Sequence, residues 1–164
     1  MSNRNEQIKR LYLQHVDMVF RICFLFLKNE ADAKDGVQDI FVKLIEKDIE
    51  FTSDEHEKAW IIRVSINYCK DQLRKVWNKR KSDIPNLEEF FGINNHHDQY
   101  LLSCILQLPT KYKDIIYLHY YEGYTIEEIS KIQNISSSTL RSRLSKAKYI
   151  LKERFEKEES YERV

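Results

Sequence analysis

The sequence predicts an all-α protein with two small helical domains joined by a linker, the second of which contains a helix-turn-helix. Apolar residues recur every three or four positions over long stretches, which is the spacing of one helix face. Only three of the 164 residues are Gly and two are Pro, so few residues would break long helices. The alternation of apolar and polar residues that is typical of strands is scarce. We expect the first domain at residues 5–80, the linker at 81–97 and the second domain at 98–158.

Three helices are expected in the first domain. The first runs from about Asn5 to Lys28 and presents a core stripe at helical spacing. The second begins near Glu30, with an apolar side and an outward polar side, and the segment 48–56 interrupts its pattern. In the third helix, apolar residues at alternating steps of three and four predict a packing seam.

The linker at 81–97 is expected because proline, glycine and asparagine occur there without a sustained helical period. A helix from about Asp98 to Gln107 follows the linker. Pro109 then opens another helix in its first turn, and Gly123 closes that segment.

The last third of the chain carries the pattern of a helix-turn-helix. Thr125 and Glu128 supply a capping box for a short helix, and a polar break follows at 133–135. Ser136 or Ser137 can then cap a longer helix. This geometry places a second helix in a DNA major groove, although it also fits an ordinary helical hairpin with solvated charges. The polar face of the longer helix carries Arg141, Ser142, Arg143, Ser145, Lys146 and Lys148.

Charges are segregated along the chain, although the formal net charge is only +1. Residues 30–57 contain ten acids against three Lys and one His, so this part should repel DNA. Residues 63–81 contain seven Lys and Arg against one Asp, so this part should attract phosphate.

Several classes of protein are disfavoured by the sequence. Cys23, Cys69 and Cys104 are odd in number and far apart, so they suggest neither a disulfide framework nor a zinc motif but buried thiols in a reducing cytosol. The longest apolar run, 22–27, is far shorter than the roughly 20 residues that span a bilayer. We therefore expect a cytoplasmic protein that is not exported.

The chain resembles the extracytoplasmic-function sigma factors, the compact two-domain initiation subunits of bacterial RNA polymerase. The segment Asp32–Phe41 is similar to the core-polymerase-binding motif of that family, and Lys58–Asn67 is similar to its promoter-melting helix. The signature of the second domain is matched by Leu108-Pro109, Glu122-Gly123, Glu127-Glu128-Ile129 and Thr139–Leu144. The order and spacing of these segments carry the resemblance, because each one alone is weak evidence.

The resemblance implies a function as an alternative sigma factor. Core RNA polymerase and promoter DNA would be its partners, an anti-sigma factor, often membrane-bound, would regulate it, and it would have no cofactor, no small-molecule substrate and no bond chemistry of its own. The loop at 50–56 would capture a base of the minus-ten element. The polymerase contact would be formed by Asp35, Gln38, Asp39 and Lys43. The minus-ten contact would be formed by Arg63, Asn67, Lys70 and Arg74. The minus-thirty-five contact would be formed by Ser137, Arg141, Ser142, Arg143, Ser145, Lys146 and Lys148.

Two other functions stay open at the level of sequence. A helix-turn-helix regulator would bind an operator without touching polymerase, and an enzyme would use Cys104 with His119 as nucleophile and base. The paired histidines 96–97 with Asp98 lack the spaced partners of a metal site. Trp60 fits a core position better than a base-stacking position, because Ala59 and Ile62 flank it.

Overall fold

The computed structural model describes residues 2–75, 91–92 and 95–162, and within these ranges the chain is mostly helical and contains no strand. The described residues form two compact units, one containing residues 2–75 and the other the residues from 91 onward. The predicted all-α fold class is therefore confirmed. Much of the predicted linker at 81–97 lies outside the described residues.

The first unit is a bundle of three helices: α1 is Ser2–Leu27, α2 is Glu30–Lys47 and α3 is Asp54–Leu73. Both α2 and α3 pack on α1, and the fully buried residues include Phe24, Phe26, Ile40, Ile61 and Ile62. Side chains cap two of these helices at their N-termini, because the first amides of a helix have no partner within it. Asn29 Oδ1 accepts from the Asp32 amide at 3.0 Å, and Ser53 Oγ accepts from the His56 amide at 3.1 Å.

Gly36 lets α2 approach its two neighbours closely. A Cβ atom at this position would lie 3.0 Å from Cys23 Sγ on α1 and 3.1 Å from Cε1 of Tyr68 on α3. Such distances are shorter than ordinary van der Waals contact, so the missing side chain allows the Tyr68 ring to pack against the α2 backbone. The α2 backbone therefore lies close to Tyr68 of α3 at this position.

In the second unit, the described residues from 95 onward form four helices and one π-helical turn. They are α4, His96–Leu106; α5, Thr110–Ile116; the π-helical turn, Tyr117–Tyr121; α6, Ile126–Gln133; and α7, Ser137–Glu162. The core of this unit includes Ile115, Leu118, Ile129 and Leu140, all fully or almost fully buried. The helix α4 begins at His96, two residues earlier than predicted.

The ends of these elements differ in detail from the sequence expectations. Pro109 is the N-cap of α5 and not a residue of its first turn. Gly123, whose φ is +79°, ends the segment that follows α5. The last residues of this segment form a π-helical turn, which the 3.6-residue period does not predict. The capping box of α6 is confirmed: the Glu128 amide donates to Thr125 Oγ1 at 3.1 Å, and the Thr125 amide donates to Glu128 Oε1 at 3.2 Å. None of the described helices is both long and apolar enough to cross a membrane.

Candidate protein-binding and nucleic-acid-binding surfaces

The outward face of α2 carries the residues predicted to contact a protein partner. Val37, Ile40 and Phe41 are buried on the opposite side of the helix, so the polar residues between them point away from the core. Val42 is 48% exposed and lies on the polar side of the helix. The exposed polar residues of this α2 face are Asp35, Gln38, Asp39 and Lys43.

Tyr68 of α3 contacts two residues of the α2 face, Asp39 and Lys43. Its hydroxyl donates to Asp39 Oδ2 at 2.8 Å, and Lys43 Nζ lies 5.2 Å from the centre of its ring. Burial and the adjacent Asp39 carboxylate raise the pKa of Tyr68 above its ordinary value. Sequence reasoning missed Tyr68, because it is 29 positions from Asp39 and no local pattern links them.

The outward stripe of α3 carries the predicted minus-ten residues. Arg63, Asn67 and Arg74 are exposed and Lys70 is partly buried, while Ile62, Ile66 and Cys69 line the opposite, buried side. Arg74, the C-cap of α3, donates from Nη1 to Asp71 Oδ1 at 3.1 Å, so the charge of this cation is partly compensated by an acid of α3. The four predicted residues therefore lie on one accessible side of α3 and its C-cap, and this side carries a net positive charge.

A cavity of about 520 Å³ separates the loop at 48–53 from α1 and from the start of α3. Phe51 and Trp60 line it with their ring centres 5.6 Å apart, and Lys47 Nζ lies 5.7 Å from the Trp60 ring centre. Trp60 is half-buried at this cavity, so part of its side chain is accessible although the sequence favours a core position for it. The cavity therefore has aromatic and charged walls.

A buried ionic cluster fixes the start of α3 against α1. Glu57 is 4% exposed and accepts from Arg10 Nη2 at 3.0 Å, from Arg10 Nη1 at 3.3 Å and from His15 Nε2 at 2.7 Å. Burial alone would raise the pKa of Glu57, but the hydrogen bonds and charges of Arg10 and His15 outweigh burial and lower this pKa below its ordinary value. The sequence pattern did not reveal this cluster, because Glu57 is one of the ten acids in residues 30–57 that were expected to repel DNA.

The helix-turn-helix of the second unit has the predicted geometry. Asn134 ends α6 with φ of +56°, a left-handed conformation that Asn tolerates better than most residues. Ser136 and not Ser137 caps α7, since its Oγ accepts from the Thr139 amide at 3.3 Å. Leu140, Leu144 and Ala147 are buried, which points the other side of α7 outward.

The outward side of α7 displays the residues predicted to contact duplex DNA. Ser137 and Arg143 are partly buried, and the exposed members are Arg141, Ser142, Ser145, Lys146 and Lys148. In the free protein Arg141 Nη2 donates to Glu127 Oε1 on α6, and both side chains are about 60% exposed. Glu127 was part of the family signature, but its pairing with Arg141 follows only from the way α6 and α7 pack.

Two exposed tyrosines extend the basic side of α7, and sequence reasoning missed both. Lys148 Nζ lies 5.6 Å from the ring centre of Tyr120, and Lys146 Nζ lies 5.8 Å from that of Tyr149. Tyr120 belongs to the π-helical turn and not to α7. The surface therefore combines cations with aromatic rings, as nucleic-acid-binding surfaces commonly do.

The residues considered for catalysis are in structural positions. Cys104 is buried, and His119 Nδ1 donates to the backbone carbonyl of Tyr124 at 2.8 Å. Among the residues that the structure describes, no group of three or more His, Cys, Asp or Glu could hold a metal ion.

Comparison with known proteins decides the family. Residues 11–79 match the model for sigma-70 region 2, and residues 98–151 match the model for sigma-70 region 4. The two matches follow each other in order and together cover most of the chain. The chain belongs to the extracytoplasmic-function sigma factors.

Individual relatives agree with this assignment. The chain is 29% identical to the RNA polymerase sigma factor SigV of Bacillus subtilis over 147 residues, which are 88% of this chain and 89% of that protein. It is 23% identical to the ECF RNA polymerase sigma factor SigW of the same species over 154 residues, covering 83% of this chain and 82% of that protein. The sigma factor RpoE from Bartonella quintana, solved with the anti-sigma factor NepR, has a similar fold, with a TM-score of 0.71 at 20% identity, covering 90% of this chain and 96% of that chain.

The protein is therefore an alternative sigma factor that serves transcription initiation. The alternative of an operator-binding regulator is not favoured, because region 2 occupies the first unit and such a regulator has no need of it.

Proposed function

We propose that this sigma factor binds core RNA polymerase through the α2 face and promoter DNA through α3 and α7. In this proposal Asp35, Gln38, Asp39 and Lys43 contact the polymerase. The minus-ten element is contacted by Arg63, Asn67, Lys70 and Arg74. The minus-thirty-five element is contacted by Ser137, Arg141, Ser142, Arg143, Ser145, Lys146 and Lys148.

The observation that carries the proposal is the opposite charge of two neighbouring helix surfaces in one unit. The α2 face exposes Asp35 and Asp39, whereas the α3 stripe exposes Arg63 and Arg74. Phosphates would be repelled by the first surface and attracted by the second, so the two surfaces suit different partners. A cationic protein surface complements the α2 face, which fits core polymerase rather than DNA.

Duplex DNA suits the α7 surface for a separate reason. A capped helix follows a tight turn there and exposes Arg141 and Lys146 on one side, which is the arrangement that enters a major groove. Arg can bond both acceptors of a guanine, so we assign base reading to Arg141. We assign phosphate contacts to Arg143 and Lys148.

The cavity beside the loop at 48–53 supports base capture by the first unit. Its lining includes the aromatic rings of Phe51 and Trp60, and aromatic rings are groups on which an unpaired base can stack. The predicted capture loop at 50–56 supplies part of the cavity wall.

The same proposal covers regulation and location. Because RpoE of Bartonella quintana was solved with an anti-sigma factor, we propose that such a protein, often membrane-bound in this family, also regulates this chain. The protein would act in the cytoplasm, where its two partners are, and would carry out no bond chemistry of its own. Its action would consist of binding and strand separation.

A charge-reversal experiment tests the polymerase contact. The double variant Asp35→Lys, Asp39→Lys should lose binding to core polymerase and promoter-specific transcription, while the affinity of the isolated protein for promoter DNA should not fall. A control variant, Glu6→Lys with Asp17→Lys, makes the same charge change on exposed positions of α1. Unchanged polymerase binding by the α2 variant, or an equal loss in the control, would contradict the proposal.

A further inference from the structure

We propose that Tyr68 is a positioning residue for polymerase docking, which keeps the charges of Asp39 and Lys43 apart and available to the partner. This inference rests on the proposed function of the α2 face. Tyr68 itself is only 7% exposed and belongs to α3, so its contribution would be made through the two α2 residues that it contacts.

The position of the Tyr68 ring depends on Gly36. The ring edge packs where a side chain at position 36 would be, with Cε1 3.1 Å from the place of the missing Cβ. Because this packing confines the ring, the hydroxyl reaches the surface beside Asp39 and donates to Oδ2 at 2.8 Å. A hydroxyl on a buried, confined ring is a rigid donor, so it limits the rotamers open to the Asp39 side chain.

Asp39 and Lys43 are spaced so that they could form an ion pair with each other instead of with a partner protein. Residues four apart on a helix are neighbours, and an acid followed by a base at that spacing commonly forms an ion pair. In this structure the hydroxyl of Tyr68 bonds the Asp39 carboxylate, and the ring of Tyr68 lies beneath the Lys43 ammonium at 5.2 Å. Both partners offered by Tyr68 are neutral, so neither charge is cancelled by Tyr68, and among the described residues no ion pair joins Asp39 to Lys43.

A charge held in place in the free protein loses less side-chain entropy when a partner binds. Loss of the Tyr68 hydroxyl would free Asp39 to rotate and to pair with Lys43, and docking would then have to break that pair. We expect an affinity for core polymerase that is about three- to tenfold weaker, the effect of one side chain that must be ordered on binding.

A double-mutant cycle tests this role. The full-length variants Tyr68→Phe, Asp39→Asn and the double variant would be titrated with core polymerase at low and high salt. We expect Tyr68→Phe to weaken binding in the wild-type background and to have no further effect once Asp39 is Asn, because the hydroxyl acts through that carboxylate. Its effect should also shrink as salt screens the charges.

Control measurements separate positioning from folding. Phe keeps the packed ring, so the thermal unfolding midpoint of Tyr68→Phe should stay close to that of the wild type. Tyr12→Phe, which removes an exposed hydroxyl from α1 of the same unit, should leave polymerase affinity unchanged.

The possible results distinguish this inference from the proposed function. If Asp39→Asn weakens binding but Tyr68→Phe does not, the positioning role is wrong and the polymerase contact stands. An equal loss from Tyr68→Phe in both backgrounds would assign Tyr68 a structural role and overturn the inference. If Asp39→Asn has no effect, the assignment of Asp39 to the polymerase fails, and the role of Tyr68 fails with it.

Discussion

Substitutions at the two ends of the Arg141–Glu127 ion pair should change promoter binding in opposite directions. The pair forms in the free protein, with both side chains about 60% exposed. An exposed ion pair is worth about 0.2–1 kcal/mol, whereas a bidentate contact from Arg to guanine is worth about 1–3 kcal/mol. Binding of DNA would therefore exchange the weaker interaction for the stronger one, with Glu127 as a competitor for the guanidinium.

The expected magnitudes follow from this exchange. Arg141→Ala should weaken binding by about 1–3 kcal/mol at the promoter base pair that Arg141 reads, and it should relax the preference at that position. Glu127→Gln should strengthen binding by at most about 1 kcal/mol, roughly fivefold, because Arg141 no longer leaves an ion pair and an acid is removed from the DNA surface.

Holoenzyme assembled from each full-length variant can be titrated against promoter fragments in which each minus-thirty-five base pair is replaced in turn, at one fixed salt concentration. Glu156→Gln is the matched control, since it removes an exposed charge from a distant turn of α7. Weaker promoter binding by Glu127→Gln would refute the idea that Glu127 competes with DNA for the Arg141 guanidinium. A uniform loss by Arg141→Ala on every sequence would reassign Arg141 to a phosphate.

Two further predictions concern stability. Because the pKa of Glu57 is lowered in the folded state, its ionic contacts stabilise the fold fully at pH values above the ordinary carboxyl pKa of 4.5. This stabilisation is lost as the pH falls through the lower pKa of the folded state. The free energy of unfolding of the first unit, measured with urea from pH 7 to pH 3, should therefore fall less steeply for Glu57→Gln than for the wild type, and parallel curves would contradict this reasoning. Thr125→Ala removes the cap of α6 and should lower the stability of the second unit by about 1 kcal/mol, as followed by circular dichroism. A loss near zero would show that the cap does not contribute.

Local patterns in the sequence were sufficient for much of the protein. The helix-turn-helix could be read directly, because Thr125 and Glu128 interact across a single turn and the apolar residues of α7 repeat at the helical period. The exposure of the predicted residues on α2, α3 and α7 followed from the same period, since a helix that buries one side exposes the other. Their roles toward polymerase and DNA stay predictions until the variants above are measured.

Long-range contacts could not be read in this way. The Glu57 cluster joins residues 42 and 47 positions apart, and no local pattern shows that an acid in a solvated stretch is to be buried. The π-helical turn at Tyr117–Tyr121 was also missed, because its hydrogen bonds depart from the regular period on which the prediction relied.

The sequence by itself determined the class of the fold, the order of the helices and the buried side of most of them. These properties depend on interactions between residues within a few turns of each other, so the chain order already contains them. Only the tertiary structure decided that Tyr68 meets Asp39 and Lys43, that Glu127 pairs with Arg141, and that a cavity opens beside the loop at 48–53. Those contacts depend on how closely separate helices pack. The packing distance is set by the residues at the contact between two helices, such as Gly36, and not by the apolar period along any one helix.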